Sequence, residues 1–162
     1  MFRNREANPH PPPAESAAAA AVAGRVELDG SEMAGLVEDL TARDFAVRFV
    51  ARGGSMSPWI RDGDLLTVTP ILRLAHGVRP RIGEVAAFRR PGSQRLTVHR
   101  LKQRVAGGWI AQGDRLPAAD GVVAEGEIFG IVTRVERQGR RVFLPRGRLG
   151  LWLAGLSRRA LA

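Results

Sequence analysis

From residue 45 onward the hydrophobic pattern of this chain repeats every two residues, in short runs broken by Gly, Pro or Asp. That period constrains the fold more than any other feature, because such a run buries one consistent face only when it is extended in a sheet. Phe45, Val47, Phe49 and Ala51 alternate with Arg48 and other outward positions until Gly53-Gly54 stops the run. Further strands are predicted over 65–69, 84–89, 96–104, 109–112, 128–136 and 141–144, with turn residues in every gap. Many short strands punctuated in this way predict a mainly β fold of several coiled antiparallel sheets, not alternating βαβ units.

Ahead of the β region, Asp29 and Ser31 offer N-caps, and Met33, Leu36, Val37 and Leu40 recur at helical spacing, which predicts a helix over 31–42. Residues 1–28 are rich in Pro and Ala and cannot bury enough surface to offset chain entropy, so they read as a disordered tail. Near the other end, Leu and Trp from Leu149 to Leu161 fit a short amphipathic helix, whose negative C-terminal end suits Arg158 and Arg159. The expected organisation is a tail over 1–28, one folded domain over 29–146 and a C-terminal amphipathic segment over 147–162. That segment is expected to pad the core, with peripheral membrane contact as the alternative.

Composition narrows the chemistry. The 162-residue chain has no Cys, which excludes disulfides, thiolate nucleophiles and cysteine-ligated zinc. Phosphate-binding glycine patterns and a His-Glu-x-x-His helix are absent, so neither a cofactor nor a metal is expected. No run approaches the ~18 apolar residues of a spanning helix, and the expectation is a cytoplasmic protein without a transmembrane anchor. The net charge of +9 rests on Arg, with Lys102 the only lysine. Such a charge suits nucleic acid or an anionic membrane. Against nucleic acid, aromatic residues make up only 6%, Tyr is absent, and no strand interleaves aromatics with Arg as a stacking platform would. Of the three histidines, His10 falls in the tail and His76 in a Gly/Pro-rich connection, which leaves His99 inside a predicted strand.

The chemically suggestive stretch is Gly53-Gly54-Ser55-Met56-Ser57-Pro58, where a strand runs into two glycines, a serine and a helical turn opened by Pro58. Glycine permits backbone conformations closed to other residues and lets a substrate chain approach, while amides around Ser55 and Met56 can face a developing oxyanion. Gly-Gly-Ser alone is also an ordinary turn. Its neighbours add weight: Arg61-Asp62-Gly63-Asp64-Leu65-Leu66 continues the turn into a strand, followed by Gly83-Glu84-Val85-Ala86-Ala87-Phe88, Thr97-Val98-His99-Arg100-Leu101 and Gly113-Asp114.

In that order and spacing, over about residues 50 to 135, these boxes resemble the signal peptidase I family of serine peptidases. The resemblance implies Ser55 as nucleophile and, in the histidine-type branch similar to endoplasmic-reticulum and archaeal enzymes, His99 as general base. A histidine with a reference pKa near ~6.5 can take a serine proton at neutral pH. Lys102 is the rival base, but an offset of three along a strand turns it to the face opposite His99. An acid should orient the imidazole; the resemblance points to Asp120, six residues after Asp114, and leaves Asp114 as a structural acid or the alternative triad member. Three departures stand out: Arg115-Leu116 replaces the family's usual Asn-Asn, Gly53 stands where many relatives carry an oxyanion-binding serine, and the family's transmembrane anchor is not expected here. The function implied is signal peptide-like processing of a peptide or precursor protein, bound as an extended strand with small residues at the cut. The rivals are a self-cleaving regulatory domain and a basic nucleic-acid-binding β-module without catalysis.

Overall fold

A computed structural model describes residues 29–74 and 79–159. The expectations for the tail over 1–28, for His10 and His76, and for the end of the C-terminal segment over 160–162 lie outside the described residues. The chain is mainly β, with helix α1 (Gly30–Ala42), strands β1 (Val47–Val50), β2 (Leu65–Pro70), β3 (Val85–Arg89), β4 (Leu96–Val105), β5 (Gly108–Gln112), β6 (Val122–Val123), β7 (Ile128–Arg137) and β8 (Arg140–Val142), and helix α2 (Gly147–Arg159). Instead of several sheets, the strands form one antiparallel sheet of eight, ordered β1-β2-β7-β3-β4-β5-β6 and curled into a half-barrel. The ten-residue β7 is its hub: β2 lines one edge, while β3 and β8 share the other. Register shifts at Thr67/Val68, Ala87/Phe88 and Leu101/Gln103 insert extra residues that bend and twist the strands, so one sheet wraps where flat sheets would have to stack.

The curl gives β3 two apolar faces. Val85 and Ala87 join Leu66, Val68, Val132 and Val135 on one side, and Ala86 and Phe88 join Leu101, Trp109 and Ile131 on the other. This double burial explains why β3 reads as a continuous apolar run instead of an alternating one. Asp29, and not Ser31, caps α1: its carboxylate accepts from the Ser31 and Glu32 amides, and the Glu32 carboxylate accepts from the Asp29 amide. Ala34 and Val37 then pack on Val47 and Phe129, while Arg89 links Glu38 on the helix to Glu127. Among the described residues no helix is long and apolar enough to cross a membrane.

Candidate active site

Ser55 sits in the turn between β1 and β2, and the sequence around it explains why that turn is rigid. Gly53 adopts a φ of 82°, which favours glycine, and its amide donates to Asp62 Oδ1 at 2.7 Å. Met56 and Ile60, each 3% exposed, anchor the far side in the core, and the Met56 carbonyl accepts from the Trp59 and Ile60 amides. Asp64 fixes the return. Its carboxylate accepts from the Arg61 amide and from the Arg137 fork at 2.8 Å for each bond. Burial works against its charge but is outweighed by Arg137 and by the Arg61 amide, so its pKa falls below the usual value.

On β4, His99 places Nε2 2.9 Å from Ser55 Oγ and Nδ1 2.5 Å from Asp120 Oδ2. A carboxylate at Nδ1 fixes the tautomer, since that nitrogen must donate; Nε2 is then the acceptor for the Ser55 hydroxyl proton. His99 is 4% exposed, and its ring meets Phe88 edge-on, with centroids 6.4 Å apart. The Asp120 side chain is 1% exposed, and its other oxygen lies 3.3 Å from Arg90 Nε. Asp120 is held by its own amide, which donates to the Ala111 carbonyl, and Gln112 Nε2 donates to the Leu116 and Pro117 carbonyls, which shapes the intervening loop.

Asp114 is elsewhere. Its two oxygens accept a bidentate fork from Arg100, and both side chains are fully buried; Arg100 Nη1 also donates to the Gly83 and Pro145 carbonyls. Asp114 therefore braces β4 against the start of α2, and the acid beside His99 is Asp120. Lys102 lies on the Arg100 side of β4, at the bulge, with Nζ 3.8 Å from Asp114 Oδ1 and no hydrogen-bond partner among the described residues. Burial, partly countered by Asp114 and reinforced by Arg158 and Arg100, lowers its pKa to about 8.

The loop and the serine turn meet at Gly113. A Cβ there would stand 2.8 Å from the Ser55 carbonyl oxygen and 3.0 Å from His99 Nε2, so only glycine admits this approach, and the Arg115 amide donates to the same carbonyl. With Gly53 committed to Asp62, the Ser55 amide is the available oxyanion donor; among the described residues it donates to no other group. Gly54 and Met56 shape the turn beside it. Next to Ser55 opens a cleft of about 460 Å³ whose walls include Met33, Phe49, Ile60, Leu66, Leu96 and Val98, with Arg52 and Arg95 also lining it.

Sequence reading brought together Ser55, His99 and Asp120 but missed four supports. Asp62, inside the turn before β2, and Gln112, the last residue of β5, carry only the faint signal of a polar residue at a chain reversal, whereas Arg90 and Arg100 could be singled out only once the strands were paired. No family model matches the chain, and no curated protein matches its sequence significantly.

Proposed function

We propose that the protein is a serine endopeptidase of signal peptidase-like type that cuts a peptide or precursor protein. The observation that carries this reading is the continuous hydrogen-bonded series Ser55–His99–Asp120 beside an open, largely apolar cleft. In the proposed reaction His99 Nε2 takes the Ser55 proton as Oγ attacks the scissile carbonyl, and Asp120 stabilises the imidazolium. The oxyanion forms within reach of the Ser55 amide. Collapse breaks the C–N bond, His99 returns the proton to the leaving amine, and water activated by the same imidazole hydrolyses the acyl-enzyme.

The edge of the sheet is the proposed substrate track. β1 is an edge strand whose end leads into the Ser55 turn, so an extended peptide can add to it through main-chain bonds while a side chain enters the cleft. A cleft of about 460 Å³ with Met33 in its wall admits a larger apolar side chain than the small residues implied by the family resemblance. The test compares peptide libraries and cell extracts treated with wild type or Ser55→Ala, followed by mapping of new termini. Ser55-dependent cuts next to a medium or large apolar residue are expected. The absence of any Ser55-dependent terminus would overturn the reading.

A further inference from the structure

The C-terminal helix is built the wrong way round for a helix that only pads a core. Gly150 and Ala154 are its buried residues, whereas Leu149, Trp152 and Leu156 are 51%, 63% and 43% exposed. Their spacing of three and four places these large side chains along one outward stripe. Packing of the inner side is settled by close approach: a Cβ at Gly150 would lie 2.5 Å from Arg100 Nη1, and one at Gly83 would lie 2.0 Å from the Gly147 carbonyl oxygen. The helix is thus clamped to the body through its small residues, while Leu149, Trp152 and Leu156 are left exposed. Phe143, in the connection from β8, is 66% exposed as well.

Charge identifies what could cover this stripe. From Arg137 to the end the sequence holds seven Arg and no Asp or Glu. Arg137 is paired with Asp64, but Arg140, Arg141, Arg148 and Arg159 have no carboxylate partner among the described residues. A second copy meeting this face about a twofold axis would bring two such arginine sets together, which disfavours self-association. An anionic lipid surface satisfies both features at once, because Trp and Leu enter the headgroup boundary while Arg meets lipid phosphates.

We propose that α2 is an interfacial docking helix that seats the protein on anionic membrane surfaces through Leu149, Trp152 and Leu156, flanked by Arg148 and Arg159. The helix has 13 residues and lies along the surface instead of crossing it. This inference stands on α2 alone and does not depend on the peptidase reading. The test is sedimentation of the full chain with vesicles of phosphatidylcholine alone and with added phosphatidylglycerol, at low and high salt. Binding about tenfold or more stronger to the anionic vesicles, and weakened by salt, is expected. The double variant Trp152→Ser with Leu156→Ser should lower that binding about tenfold or more, and Arg148→Gln or Arg159→Gln about fivefold each. All four side chains are outside the buried set, and matched thermal melts verify that the variants fold. Ser55→Ala should bind like wild type, which separates this result from any loss of peptidase activity. Equal affinity for neutral and anionic vesicles, no binding to either, or a dimer that the double variant dissociates would each overturn the proposal.

Discussion

Two aspartates that look equivalent in sequence have opposite surroundings, and their substitutions should separate cleanly. Asp120→Asn keeps the shape but removes the charge that orients His99, so kcat/KM should fall roughly a thousandfold or more while the melting temperature changes little. Asp114→Ala leaves the Arg100 guanidinium buried with half of its fork unpaired, which should cost about 3–5 kcal/mol of stability. Kinetics alongside denaturant melts on both variants checks the pair. The reverse pattern would exchange the two roles. Lys102→Met should retain most of the activity expected of wild type and His99→Ala almost none, because Lys102 Nζ sits beside Asp114 and not beside Ser55. At this scale the sequence was legible where a position is fixed by local spacing, as for the turn that Gly53 and Gly54 open before Ser55. Arg90 was not legible, because its meeting with Asp120 depends on a turn between β3 and β4 and a loop between β5 and β6 reaching the same place.

At the scale of elements, α1 links folding to the cleft. Asp29 and Met33 lie in the cleft's lining, and the Asp29 carboxylate holds the helix's first turn. Hydrogen bonds from the Ser31 side chain, then from the Glu32 and Ser31 amides, hold its pKa below the usual value, with Arg95 adding to the effect. The folded-state pKa is depressed, so the cap's contribution is fully present above the unfolded pKa and is lost as pH falls through the folded one. Asp29→Ala should lower the melting temperature at neutral pH and remove this part of the acid dependence. For the proposed peptidase it should also raise KM more than it lowers kcat, since Met33 shifts but Ser55 and His99 do not. Gly113→Ala is the complementary case: its Cβ would meet the Ser55 carbonyl and His99, so kcat should fall with little change in KM. Steady-state kinetics on the two variants distinguishes wall from catalytic centre. The helices and seven of the eight strands were legible to within a few residues, because period and caps are local. The two-residue β6 was not, since a pair of valines carries no period and becomes a strand only by pairing with Trp109 and Ile110.

For the molecule as a whole, the number of sheets was beyond local pattern, because the bulges that merge the strands into one curled sheet depend on pairing register and not on composition. The composition does, however, make one global measurement unusually clean. With no Tyr, no Cys and a single lysine, Lys102 is the one side chain in this chain whose ordinary titration range lies between pH 8 and 10.5. Burial lowers its folded-state pKa from 10.5 to about 8, an effect only partly offset by Asp114. The unfolded chain therefore binds more protons than the folded one across that window, and unfolding free energy must rise as pH goes from about 8 to about 10.5. Below the folded pKa the whole cost of the buried ammonium is present. Because the Lys102 side chain is 14% exposed and its stem can reach toward water, the rise should be about 1–2 kcal/mol, less than the full shift would give. Urea melts at pH 7, 8, 9 and 10 should therefore show wild type gaining stability. Lys102→Met should already be more stable at pH 7 and nearly flat thereafter. A wild-type profile that stays flat or falls across this range would mean that the Lys102 ammonium is solvated in the folded protein and is not desolvated beside the buried Arg100–Asp114 pair.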